Sequence, residues 1–165
     1  MNAPEHPVSI DKQLKAFLES GVSVLVGTRD SGLSPEITRA WGPRVSKDRN
    51  SVSLCVPLAT SRKTLENLEE NELIAVSFSL PTTYKTIQLK GRCIETGEPS
   101  AADLRAVERH REAFSSLNEG IGVPRHLLDS FWRAEVATSP NLIVIRFHPD
   151  EIFDQTPGPK AGSRL

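Results

Sequence analysis

Ser51-Val52-Ser53-Leu54-Cys55-Val56-Pro57-Leu58-Ala59-Thr60-Ser61-Arg62-Lys63-Thr64-Leu65-Glu66-Asn67-Leu68-Glu69-Glu70 is the stretch whose reading decides the fold. Ser51 to Val56 is a strand-like apolar run, and Thr64 to Glu70 has helical spacing. Ser61-Arg62-Lys63 lies between them and opens the helix. The unpaired N–H groups of a first turn and the positive end of the dipole both attract anions. Two cations and a hydroxyl stand there, where carboxylates are the usual choice. Arg62 offers a planar fork for phosphate oxygens, Lys63 a point charge, and Ser61 or Thr60 a short donor. A Ser-capped surface helix with two solvated cations is the plainer reading, and for an isolated Ser-Arg-Lys the better one. The placement between strand and helix keeps phosphate binding in contention.

Outward from this stretch, the chain is mostly strand. Val22–Thr28 alternates, Asp30-Ser31-Gly32 signals a turn, and Pro35–Ala40 returns as a hairpin partner. Trp41-Gly42-Pro43 interrupts that strand. Val45–Lys47 and Ser51–Val56 flank a second turn at Asp48-Arg49-Asn50. Leu73–Phe78, Thr86–Glu95 and Asn141–Phe147 complete the strands. Before them, Ser9 is placed to cap a short helix over Ile10–Ser20, with Leu14, Phe17 and Leu18 on one face. A helical insertion occupies 100–139. Ser100 and Asp103 form a capping-box-like start, Leu104, Val107, Phe114 and Leu117 follow helical spacing, and Leu127, Leu128, Phe131 and Trp132 form a second apolar face. The tail from 156 to 165 has no periodicity and reads as extended or loosely ordered. The pattern predicts one mainly β (α+β) domain over 1–165, an antiparallel barrel with peripheral helices.

Composition narrows the function classes. The 165 residues carry a net charge of -1 with 25% charged residues, so no general electrostatic case exists for nucleic acid or an anionic membrane. No segment approaches membrane-spanning length, and Met1–Pro7 lacks an apolar signal core. Cys55 and Cys93 lie in strand-like runs without CxxC spacing and read as buried thiols in a reducing compartment; the expected location is the cytoplasm. The four histidines show no metal-ligand spacing, and no GxSxG or GxGxxG sequence occurs.

The order of these pieces resembles the FMN-binding split β-barrel of the pyridoxamine 5'-phosphate oxidase superfamily. The resemblance runs from about Gln13 to the C-terminus, apart from the insertion. Ser61-Arg62-Lys63 with Leu65 or Leu68 is similar to the family's phosphate-binding motif. Arg39 and Arg44, at the start and end of Arg39-Ala40-Trp41-Gly42-Pro43-Arg44, resemble an Arg and a Lys near the flavin and its phosphate. Gln88 in Thr86–Arg92 resembles a strand Gln that hydrogen-bonds the flavin. Arg62, Lys63 and Arg44 are thus expected at the phosphate and Arg39 at the ring edge where charge gathers on reduction, with Gln88 donating and accepting there. Ala40 and Trp41 fall in the same segment. Trp41 reads first as a packing residue at a barrel rim and second as a ring-stacking partner. Alone, Gln88 would be an ordinary strand polar residue, and Arg39 and Arg44 surface cations; their order relative to Ser61-Arg62-Lys63 carries the resemblance.

Two departures narrow the resemblance. True pyridoxamine 5'-phosphate oxidases carry Tyr-Thr-Asn where this chain has Val56-Pro57-Leu58. Their C-terminal Trp and Arg-Leu-His-Asp-Arg segment has no counterpart here, with Arg164 alone resembling a flavin-contacting Arg. The resemblance therefore implies a homodimeric FMN oxidoreductase acting on a small-molecule substrate, without the vitamin B6 activity. No side chain stands out as an obligatory acid or base. A non-catalytic flavin binder, a deazaflavin user and a haem-binding barrel are the alternatives.

Overall fold

The computed structural model describes residues 8–136 and 141–165. Seven strands form one antiparallel sheet: β1 (Ser23–Arg29), β2 (Pro35–Val45), β3 (Val52–Pro57), β4 (Leu73–Ser79), β5 (Thr86–Gly97), β6 (Leu142–Asp154) and β7 (Ser163–Arg164). The order is β3-β2-β1-β4-β5-β6-β7, and an additional β3–β6 pairing closes the first six into a barrel. The expected mainly β split barrel with peripheral helices is the fold observed.

Period-two alternation explains the closure. Val24 and Val26, Val76 and Phe78, Ile87 and Leu89 all point inward and are at most 5% exposed. β3 is buried along its whole length, because one face looks into the barrel and the other lies under helices. The helices are α1 (Lys12–Leu18), α2 (Leu58–Asn71), α3 (Ala101–Glu119) and α4 (Arg125–Val136). The α1 residues Leu14, Phe17 and Leu18 pack on the barrel core.

Four local expectations are corrected. The first helix is capped by Asp11, whose carboxylate accepts from Leu14 N at 2.7 Å, and not by Ser9. Ile10 is fully buried and its N–H donates to Arg49 O, so it is held extended ahead of the helix. Trp41-Gly42-Pro43 does not interrupt its strand: β2 runs on to Val45 through a bulge between Trp41 and Arg44. At Gly42, φ is +63°, and a Cβ would lie 2.5 Å from Val107 N, so only glycine fits. The second helix begins at Leu58, directly after β3, because Pro57 both ends the strand and serves as N-cap. The tail is ordered: Gly162 N donates to Asp154 O, Leu165 N donates to Ile152 O, and β7 lengthens the sheet beside β6. Of the insertion expected over 100–139, residues 137–139 lie outside the described residues.

The insertion docks by close backbone contact at two glycines, Gly42 and Gly21; a Cβ at Gly21 would lie 2.5 Å from the Ala113 carbonyl. Between them His110 is 3% exposed, accepting from Gly42 N at Nδ1 (3.2 Å) and donating from Nε2 to Val22 O (2.8 Å). That pattern requires the neutral ring. Burial lowers its pKa to about 4, outweighing the opposing hydrogen bond to Val22. The folded protein thus binds fewer protons than the unfolded chain between the ordinary value of 6.5 and about 4, and stability falls as pH drops through that window. Relative to His110→Gln, the wild type is expected to lose about 3 kcal/mol on going from pH 6.5 to 4. Denaturant titrations of both proteins at the two pH values measure the difference, and parallel losses would show that His110 is not held neutral.

Candidate functional site

With the inward faces sealed in the core, the outward rows of the sheet are the surface on which chemistry can be built. One row crosses six strands. Arg39 (β2) pairs with Leu25 (β1), Leu25 with Ser77 (β4), Ser77 with Gln88 (β5), Gln88 with Phe153 (β6) and Phe153 with Arg164 (β7). Three of the residues singled out in the sequence, Arg39, Gln88 and Arg164, therefore stand at one level. Leu25 is 39% exposed between them. Leu25 and Phe153 are the apolar members of the row, and the other four carry hydrogen-bonding groups. Gln88 Nε2 donates to Ser77 Oγ (3.3 Å) and Gln88 Oε1 accepts from Gln155 Nε2 (3.3 Å). Arg39 Nη1 donates to Ser23 Oγ (3.0 Å), and Arg164 pairs with Glu151 (3.2 Å).

The next outward row, two residues along each strand, is Gly27, Ala75 and Lys90. The small side chains leave a trough of about 500 Å³, lined by the cations Arg29 and Lys90 and by the carboxylates Asp150 and Glu151, which is the size class of a cofactor site. It opens toward the β1–β2 turn.

Ser61-Arg62-Lys63 lies beside that turn, arranged differently from the sequence expectation. The free N–H groups of α2 belong to Leu58, Ala59 and Thr60, so Arg62 and Lys63 sit a turn inside the helix. Ser61 is 1% exposed and its hydroxyl shares a hydrogen bond with Thr38 Oγ1 (2.9 Å). It pins the helix to the barrel. Successive helix positions point about 100° apart, and the two cations diverge. Lys63 lies 3.6 Å from Asp30, whose carboxyl is held below its usual range by the Ser34 N–H and, less, by Lys63. Arg62 lines a second groove of about 490 Å³ with Glu66, Glu69, Glu72 and Glu95.

Arg44 does not join them. It lies six residues, roughly 20 Å, along β2 from Thr38, the strand contact of Ser61. Its guanidinium grips Asp103 of α3, with Nη2–Oδ1 at 2.5 Å. Burial works to raise the Asp103 pKa, but hydrogen bonds from Ser100 and the Arg44 pair outweigh it and hold the group ionised. Ala40, 1% exposed, is a core residue. Trp41, 2% exposed, is enclosed by Phe114 (5.5 Å between ring centroids), Trp132 (4.8 Å) and His110 (5.6 Å). Its ring is a packing element under the insertion.

Sequence reasoning missed Ser77, Phe153 and Phe131. The first two were within reach, since alternation already turned Ser77 outward. Phe131 was read only as part of an apolar helix face; its ring centroid lies 5.3 Å from the Arg39 guanidinium carbon, a tertiary contact that no local pattern signals.

No protein-family model matches the sequence, and no curated protein matches it either. Solved structures do resemble it. An F420 reductase superposes with a TM-score of 0.56 at 13% identity, over 84% of this chain and 94% of that one. A candidate pyridoxamine 5'-phosphate oxidase from Lactobacillus delbrueckii gives 0.53 at 12% identity, over 88% and 93%. An FMN-binding protein from Syntrophomonas wolfei gives 0.50 at 15% identity, over 87% and 86%. At such identities the likeness establishes the fold, the split barrel of FMN-binding, pyridoxamine 5'-phosphate oxidase-like proteins.

The geometry assigns Arg44 to the insertion's anchorage. Arg44→Met should destabilise the protein by roughly 2 kcal/mol at neutral pH, less than for a fully buried pair because Arg44 is 32% exposed. The orphaned Asp103 carboxylate is the cause, so the deficit should narrow as pH falls and the group takes up a proton. Unfolding at a series of pH values checks this; a pH-independent deficit would assign the loss to packing alone.

Proposed function

We propose that this chain is an FMN-dependent oxidoreductase that works as a homodimer, with the cofactor laid across the outer face of the barrel. The observation that carries the reading is the row from Arg39 to Arg164, in which Leu25 and Phe153 are interspersed with hydrogen-bonding groups at one level of the sheet. That donor set fits a flat ring with a polar edge. Arg39 offers fixed positive charge for the N1–C2 edge, and Gln88 can both donate and accept there. The trough leads away from the row along Gly27 to Arg29, a route for a chain ending in a phosphate, and Lys63 lies beyond it, paired with Asp30 of the adjoining turn. Lys63 would exchange a weak, solvent-screened partner, Asp30, for a dianion. The flavin, when bound, supplies the two-electron chemistry; the side chains bind it, orient it and bias its charge.

The spacing of the row argues for two copies. Arg39 and Gln88 are three strands apart, about 14 Å, so one chain cannot bring both to the same ring edge. A second copy, packed across this face, can set its Gln88 and Arg164 over this chain's Arg39. Leu25 and Ile37, exposed by 39% and 66%, are the apolar groups such packing would cover. The substrate is a small organic molecule, and the departure at Val56-Pro57-Leu58 argues against pyridoxamine 5'-phosphate. The insertion supplies no replacement cation at Arg44; it supplies Asp103, which neutralises it. The likeness to an F420 reductase keeps a deazaflavin as the second reading. The haem alternative gains nothing from His110, whose ring nitrogens are both engaged in the interior. Among the described residues no helix is long and apolar enough to cross a membrane, and the two free thiols suit the reducing cytoplasm.

Purified protein, denatured and chromatographed, should release FMN or take it up in preference to FAD and riboflavin; a deazaflavin or haem chromophore would overturn the assignment. A charge-assisted hydrogen bond of about 1.5–3 kcal/mol implies that Lys63→Ala weakens FMN binding by about ten- to a hundredfold. Riboflavin, lacking the phosphate, should respond little, and an equal loss for both ligands would place the effect in the fold. Sedimentation at micromolar concentration should show a dimer. A monomer that retains FMN tightly would refute the shared groove.

A further inference from the structure

Arg39 lies at the end of the row nearest the insertion, and α4 reaches it. The Arg39 guanidinium carbon is 5.3 Å from the Phe131 ring centroid, while Nη1 donates to Ser23 Oγ at 3.0 Å. Phe131 itself is 37% exposed, with its other contacts inward: its ring centroid is 6.0 Å from that of Trp41, which in turn packs edge-on against Trp132. The helix carrying it has anchors of its own on α3. Arg125 joins Glu112 and Glu119 of α3 to Asp129 of α4, Arg111 of α3 reaches Asp129 at 3.5 Å, and Leu128 is 8% exposed against the insertion's own core. An arginine on an outward strand position has several rotatable bonds and ordinarily many rotamers. Here a ring face on one side and a strand hydroxyl on the other restrict it.

We infer that Phe131 is a positioning residue for Arg39. Its ring holds the guanidinium against the groove, so that the positive charge is in place before a ligand arrives. The inference rests on the flavin reading for its purpose, though not for its geometry. Phe131 acts through Arg39 and needs no contact with the cofactor. The insertion is then part of the site: it carries the side chain that orders the groove's charged end. Preorganised charge is worth more than charge that must be gathered, because no rotamer entropy is lost at the moment of binding or reaction.

Two measurements on Phe131→Leu and Phe131→Tyr test this. In cofactor-free protein, the Arg39 Nε–H signal in NMR should be displaced by the ring current of residue 131. Phe131→Leu should return it toward the value of a free arginine, and Phe131→Tyr should leave it displaced. In FMN-loaded protein the probe is sulfite, which adds its electron pair at N5 and leaves negative charge at N1–C2, so its affinity reports the cation at that edge. Phe131→Leu should weaken sulfite binding by about two- to fivefold, with Phe131→Tyr near the wild type and Arg39→Gln marking the full loss. An Arg39 signal unmoved by Phe131→Leu overturns the inference. So does a moved signal with unchanged sulfite affinity while Arg39→Gln lowers it. If the wild type takes up no flavin, the functional reading fails by itself, and the NMR result alone decides whether Phe131 positions Arg39.

Discussion

Pairing of Val52–Pro57 with Leu142–Phe147 closes the sheet on itself, and the closure divides every strand into a face that is sealed and a face that is not. Inward positions must fill a finite interior at crystal-like density, so they are Val, Leu, Ile and Phe with little freedom to vary. Polar groups that reach the inside are confined to the seam under α2, where Ser61 meets Thr38 and Asn67 meets Thr28. Chemistry has only the outward rows left. The barrel is thus a device for presenting outward side chains at fixed spacing, one strand about every 4.8 Å. Arg39, Gln88 and Arg164 are at one level because register, a property of the whole sheet, puts them there.

The insertion closes a second face by a different principle. Its helix α3 approaches β2 so closely that Gly42 and Val107 touch backbone to backbone, and the contact fixes the β2 bulge. His110 satisfies the Gly42 N–H that the bulge exposes, and Asp103 takes the guanidinium of Arg44. Buried polar partners of this kind add little net stability, but leaving either unpaired is costly, so they specify one docking geometry. The same helices bury Trp41 and bring Phe131 over Arg39. One docked unit both engages Arg44, which was expected at a ligand, and brings an unexpected ring onto Arg39.

These two devices also separate what was legible in the sequence from what was not. Strand alternation and turn residues are local, so an antiparallel barrel with peripheral helices could be read directly, while the split barrel and the expectation for Arg39, Gln88 and the Ser61-Arg62-Lys63 helix came from the resemblance in motif order. The errors came where tertiary contact overrides local preference. Ser9 is a good cap by type, but Ile10 is pulled extended into the core by burial and by Arg49 O. Gly42-Pro43 looks like a strand break, yet a bulge locked against Val107 carries the strand through it. Arg44 reads as a phosphate-binding cation by resemblance and as a surface cation alone, and neither reading can see its partner, 59 residues away on an inserted helix. The tail looks unstructured because two residues of strand leave no periodicity to detect.

The position of the cations carries the last step. Lys63 reaches toward the β1–β2 turn, Arg62 toward the opposite groove, Arg44 into the insertion and Arg39 across the ring end of the row. Within one chain they do not form a cluster, and a scattered set of positive charges has no reason to concentrate an anion at one point. Two-fold packing across the outer face would change this without moving a backbone. The row is polar at both ends, Arg39 at one and Gln88 with Arg164 at the other, so an antiparallel copy places unlike ends together twice. Such an arrangement yields two equivalent sites from one surface, which is the economy of an isologous interface. Each half-site would then be of little use alone, and ligand binding and dimerisation would be thermodynamically linked, so that whatever strengthened one would strengthen the other.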